Sequence, residues 1–149
     1  MVGKLNNRQI EVIISEQMIG RLGCHYNDLT YVVPISYTYN GGCIYCITYE
    51  GMKLDIMRKN PKVCLEIDEL IDMANWKSVI CWGEFEELTK VEERKEALIL
   101  MKNRLLPFIS SFVTHLSPTW PFIDKNVDKF KGIVFRVRLK EKTGRFESK

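Results

Sequence analysis

The order of strands, turns and short helices along this chain predicts a mainly β fold, an antiparallel, barrel-like sheet with peripheral helices. Three observations carry that reading. Apolar–polar alternation marks about six strands. Tight turns or one short helix join neighbouring strands. The regular β–α–β alternation that a doubly wound parallel sheet needs is missing. At 149 residues the chain fits one domain, taken as 1–149.

A first helix is expected over residues 6–18, with Asn6 as N-cap and Gln9 three residues on, the spacing of a capping box. Ile10, Ile13, Ile14 and Met18 form its apolar stripe. Gly20 to His25 reads as a strand, and Tyr26-Asn27-Asp28 supplies turn residues. From Thr30 to Tyr39 the residues Tyr31, Val33, Ile35, Tyr37 and Tyr39 share one face. Asn40-Gly41-Gly42 then turns the chain into a returning strand, Cys43 to Tyr49, because these residues accept φ > 0 cheaply. A short helix from Met52 to about Lys59 is closed by Asn60-Pro61. Val63 to Asp68 and Ser78 to Leu88 are further strands, the second with a bend or bulge at Gly83. Thr89 and Glu92 read as a capping box opening a helix to about Leu105. Residues 107–125 are irregular, and Ile133 to Lys140 is the last strand.

Composition excludes several classes. The chain is 46% hydrophobic and 28% charged, ordinary for a globular protein and unlike a disordered or collagenous one. Its apolar runs fall short of the ~20 residues that span a bilayer, and the N-terminus lacks the apolar core of a signal peptide. Five cysteines, an odd number, fit a reducing compartment, so a cytoplasmic location is expected. The net charge of +3 argues for no nucleic-acid partner. It is unevenly spread: residues 66–93 hold nine acids and two bases, residues 125–149 nine bases and three acids, which reads as a solvated strand face.

The richest stretch for chemistry is Thr48-Tyr49-Glu50-Gly51-Met52-Lys53, where a strand gives way to a helix. The first turn of a helix carries unpaired N–H groups and a partial positive charge. A hydroxyl, a glycine and an ammonium placed there suit a phosphate; the same pattern also fits a capped helix with an exposed lysine. Val33-Pro34-Ile35-Ser36 puts a proline inside a strand, which marks an edge or an interrupted ladder whose free backbone groups could bond a flat heterocycle. Cys43 and Cys46 have metal-like spacing but lie on a strand, where residues three apart face opposite ways, so they are assigned to packing. Asp68, Glu69 and Asp72 read as a solvated loop. No metal site is expected, and neither His25 nor His115 has the context of a nucleophile's base. Catalytic side chains remain unassigned.

Taken together and in order, several segments resemble the pyridoxamine-5′-phosphate-oxidase-like FMN-binding split barrels, in particular the nitroimidazole-resistance branch. The segments are Ile19 to Gly23, Tyr31 to Tyr37, Glu50 to Asp55, Asn60 to Cys64, Ser78 to Gly83 and Thr143-Gly144-Arg145, spanning about residues 6–145. The resemblance implies a six-stranded antiparallel split β-barrel binding FMN as a homodimer, with the flavin between subunits. It sets the backbone of Val33, Pro34, Ile35 and Ser36 against the isoalloxazine ring. It gives the ribityl phosphate to Thr48, Tyr49, Lys53 and the helix N-terminus at Met52. It puts Ser78 to Gly83 at the dimer interface and lets Trp120 cover the partner's flavin. Ile47 occupies a cofactor-side position where many relatives carry histidine, so a redox role of that side chain does not carry over. The pyridoxal-phosphate-binding Arg/His pattern near the C-terminus is also missing, which argues against vitamin B6 oxidation. The implied activity is a flavin-dependent reductase of a small molecule, a nitro compound or quinone-like acceptor, fed by a small electron donor. A flavin carrier or sensor and a haem-binding split barrel are the alternatives.

Overall fold

The computed structural model describes residues 1–104 and 129–149. The element order is β1 (Val2–Lys4), α1 (Asn7–Glu16), β2 (Ile19–Tyr26), β3 (Leu29–Ser36), β4 (Thr38–Asn40), β5 (Cys43–Thr48), α2 (Met52–Lys59), β6 (Lys62–Asp72), β7 (Asn75–Glu87), α3 (Val91–Asn103) and β8 (Ile133–Glu147). All pairings are antiparallel, in the order β3-β2-β6-β7-β8-β5-β4, with β1 added to the far end of β8.

That order contains the reason for the shape. β3 and β4 stand at opposite ends of the path, yet only Tyr37 separates them in sequence. In a flat sheet, strands about 4.8 Å apart would put the two ends roughly 29 Å from each other. The step from Ser36 to Thr38 covers about 7 Å. The sheet must therefore curl until its ends meet, and because β3 and β4 do not pair, the barrel stays split there. Tyr37 pins the crossing: it is buried, its N–H donates to the Met18 carbonyl at 3.0 Å and its hydroxyl to the Ile14 carbonyl at 2.7 Å. The continuous strand expected over 30–39 is thus broken in two at this residue.

The six expected strands are all present, the one over 30–39 as β3 and β4, and β1 is the addition. α1 has the expected capping box: the Gln9 N–H donates to Asn6 Oδ1 and the Asn6 N–H to Gln9 Oε1, both at 2.9 Å. It ends at Glu16, leaving Met18 in the link to β2. α2 has the expected bounds, and Gly41 and Gly42 turn the β4–β5 hairpin with φ of 58° and 77°. The register between β7 and β8 slips at Trp82/Gly83, where a Cβ on residue 83 would collide with the Arg138 carbonyl.

Three expectations change. Asp68, Glu69 and Asp72 lie on β6 rather than in a loop: cross-strand cations hold the first two, Arg21 on Asp68 and Lys77 on Glu69 at 2.6 Å, and Asp72 accepts the Ala74 N–H at 2.8 Å to close the turn. β7 consequently starts early, and β8 continues to Glu147 along it. The capping box at Thr89 does not form; Lys90 is the N-cap, since the Leu88 N–H still bonds the Val134 carbonyl at 2.9 Å and keeps the backbone extended. The acidic and basic stretches meet as neighbouring strands, with Glu86 bridging Arg136 at 2.9 Å and Arg138 at 3.2 Å.

Two apolar clusters result. The barrel interior packs Leu22, Leu65, Ile67, Val79, Phe135 and Val137 against α1 and α2. A smaller cluster lies under α3, joining Ala97, Leu98 and Met101 to Leu88 and Val134. Among the described residues no helix is long and apolar enough to cross a membrane.

Candidate functional site

The expected site falls in two stretches of the fold. β3 ends the strand path, so one of its edges has no partner strand among the described residues. Within it Val33 and Ile35 turn toward the core, Pro34 is exposed and Ser36 is half-buried. Proline on an end strand costs no ladder bond, as its position predicted. The segment therefore offers backbone at an open edge.

The second half is the corner between Thr48, the last residue of β5, and Met52, the first of α2. No side chain caps α2, so the N–H groups of its first turn have no side-chain acceptor. Gly51 is extended, and a Cβ there would meet only the Tyr49 carbonyl, at 4.0 Å; the glycine keeps the approach open rather than relieving strain. Glu50 is drawn away by Arg58, whose Nη1 and Nη2 donate to its two carboxylate oxygens at 2.8 and 2.9 Å. That bond holds the Glu50 carboxyl below its ordinary range. Arg58 also reaches Glu87 at 2.6 Å, which ties the corner to β7. The Thr48 hydroxyl donates to the Tyr49 carbonyl at 3.3 Å, a contact weak enough to yield to a ligand. Lys53 is half-buried and makes no hydrogen bond or ion pair among the described residues. Tyr49 and Met52 are exposed, the Tyr49 ring 6.0 Å from that of Phe130. Ile47 points the other way, into the cluster under α3 with Tyr45 and Phe130. Trp120 lies outside the described residues.

Arg104, just past α3, bonds the crossing at the end of β3, and nothing in the sequence singled it out. Its Nη1 donates to the Tyr37 carbonyl at 2.8 Å and its Nη2 reaches Ser36 Oγ at 3.5 Å. Its Nε is buried without a partner, and so is Thr38 Oγ1. Burial lowers the Arg104 pKa, with the Cys46 thiol acting against that shift. Cys46 is pushed up to about 12 by its own burial, opposed by Arg104 and then Lys53. Burial likewise pushes the Cys24 thiol up, with Lys53 acting in the opposite sense. The two cations, two orphaned polar atoms and an uncapped helix end suit an anionic ligand with a polar edge. All five cysteines are free, and among the described residues no group of His, Cys, Asp and Glu could hold a metal ion.

An apolar groove of ≈ 470 Å³ runs over β2, β3, β6, β7 and β8. Val32, Cys64 and Trp82 line it, and Lys62, Glu84 and Lys140 sit among them. Trp82 is 42% exposed and Val32 61%.

An antiparallel sheet curled until its two end strands meet without pairing defines a split β-barrel. The chain belongs to the pyridoxamine 5′-phosphate oxidase family, whose model matches residues 6–145. That is the family, and nearly the span, read from the ordered segments. The chain is 34% identical over 104 residues to an uncharacterised protein of Rhizobium meliloti (strain 1021), covering 67% of this chain and 69% of that one. Among solved structures it is similar to a FAD-binding protein from Mesorhizobium loti, with 25% identity, a TM-score of 0.75 and 99% of both chains covered. A Bacteroides thetaiotaomicron protein assigned to 5-nitroimidazole antibiotic resistance matches with a TM-score of 0.71, covering 98% of this chain and 87% of that one. At 21% identity that likeness is one of fold.

Proposed function

We propose that this protein is an FMN-binding flavoprotein, a homodimer in the cytoplasm, that reduces a small molecule. The observation that carries the reading is the open corner at the start of α2, where no side chain caps the helix and Lys53 makes no hydrogen bond or ion pair among the described residues. Lys53, the Thr48 hydroxyl and the first-turn N–H groups at Met52 would hold a phosphate. Tyr49 would flank it, and the free edge of Val33, Pro34, Ile35 and Ser36 would receive the ring. One uncapped helix end and one lysine suit a single terminal phosphate, which favours FMN, although the Mesorhizobium loti relative is named for FAD. A bound flavin would supply the electron transfer; the chain's residues bind it, orient it and set its surroundings. The split and the turned-away Glu50 leave the approach to the ring open to a small donor and acceptor. Five free thiols suit a reducing compartment.

The absorbance spectrum of untreated protein tests this directly. A flavin spectrum is expected, with FMN as the flavin released on denaturation, and bleaching by reduced nicotinamide followed by reoxidation with a nitro or quinone acceptor. Flavin that no donor reduces would point to a carrier or sensor, and a Soret band in place of flavin would point to haem. The exposed groove along β7 supports the dimer, since solvent-facing Trp82 and Val32 gain by burial against a second copy. Trp82→Glu should give monomer by sedimentation velocity; an unshifted dimer would move the interface elsewhere.

A further inference from the structure

Lys53 and the α2 N-terminus account for a phosphate, but Arg104 has no part in that corner and none in the scaffold's ion pairs. Arginine stays protonated across any working pH. A guanidinium that is partly buried ordinarily faces a carboxylate, because an unmatched charge away from water is costly. Arg104 faces none among the described residues. Its partners are neutral acceptors, the Tyr37 carbonyl and Ser36 Oγ, and its Nε–H has nothing to donate to. Thr38 Oγ1, on the next strand, is orphaned at the same crossing. Two buried polar atoms left without partners, one on the arginine bonded to Tyr37 and one on the residue that follows Tyr37, mark a place that a polar edge of a ligand would complete. The titratable neighbour is the Cys46 thiol of β5, which also feels Lys53 of α2.

We infer that Arg104 is the cation that offsets the negative charge a bound flavin ring gains on reduction. This rests on the flavin reading above and assigns the ring end of the site, since Arg104 is bonded to the end of the segment Val33 to Ser36. A hydride donor delivers two electrons and one proton to ring nitrogen N5 and is itself oxidised by two electrons. The ring gains one net negative charge, spread over its N1–C2=O edge, and no proton has to leave. A fixed guanidinium there stabilises the reduced ring over the oxidised one and raises its potential. Arg104 is a tuning residue, distinct from the phosphate-binding Lys53.

The test is a spectroelectrochemical titration of the full-length, flavin-loaded protein, its Arg104→Gln variant and its Arg104→Lys variant. Arg104→Gln is expected to keep its flavin but lose about tenfold in preference for the reduced ring, a fall of about 30 mV for a two-electron couple. Arg104→Lys keeps the charge and should recover most of that loss. A potential in Arg104→Gln equal to wild type, or an equal fall in both variants, overturns the assignment. Should Arg104→Gln not fold, the wild-type protein still decides. Uptake of one proton per two electrons gives a potential falling by about 30 mV per pH unit and supports the offset charge; about 59 mV per unit means two protons and overturns it. Wild-type protein purified without flavin, and unable to take it up, sinks the flavin reading itself, which is a different result from flavin bound at an unmoved potential.

Discussion

Arg58 of α2 and Arg104, just past α3, live under opposite conditions. Arg58 is exposed, and four bonds to Glu50 and Glu87 satisfy its fork. Arg104 is half-buried, and its charge meets only a carbonyl, a hydroxyl and empty polar reach. The first is a clamp that holds the β5–α2 corner in shape; the second is a charge left available. Saturated cations build scaffold, and unsaturated ones mark where a partner belongs.

The largest effect that would sharpen this contrast is at Tyr37, whose carbonyl carries Arg104. Tyr37→Ala removes a buried aromatic at the crossing and should cost about 3–5 kcal/mol by urea denaturation. A midpoint near wild type would detach the Arg104 region from the core. Next comes Lys53→Ala, predicted to weaken flavin retention about ten- to a hundredfold, the value of a hydrogen bond to a charged group. The flavin-to-protein ratio after exhaustive dialysis measures it, and an unchanged ratio would remove Lys53 from the site. The smallest effect belongs to the clamp. Exposed pairs are screened, so Arg58→Ala should shift the thermal midpoint little, and less at high salt.

Acid separates the two arginines again. Arg58's hydrogen bond holds Glu50 below its ordinary value of 4.5. Stability from that pair is therefore fully present above about pH 4.5 and is lost as pH falls through the lower folded-state value. Wild type and Arg58→Ala should converge in urea midpoint as the solution is acidified. A gap constant with pH would mean that Arg58 acts by packing. No carboxylate among the described residues pairs with Arg104, so its own bonds bring no such acid limb.

Local chemistry made much of this fold legible. The Asn6–Gln9 capping box, the Gly41-Gly42 turn, the bounds of α2 and the slip at Gly83 each depend on residues within one turn or one strand step. The candidate corner at Thr48 to Lys53 was legible for the same reason, as a strand end running into a helix start. What stayed hidden depends on distant partners. The acids of β6 looked like loop until Arg21 and Lys77 were placed across from them, and the Thr89 box lost to a ladder bond from Leu88.

From its sequence alone this chain determined its six main strands, its turns, its family and the corner where β5 runs into α2, because periodicity and capping are properties of neighbouring residues. Tertiary structure alone decided that the path should curl until β3 and β4 meet at Tyr37, and that Arg104 should stand there with no carboxylate partner among the described residues. A charge's surroundings are set by whatever folds against it, and Arg104 lies more than sixty positions from the residues it touches.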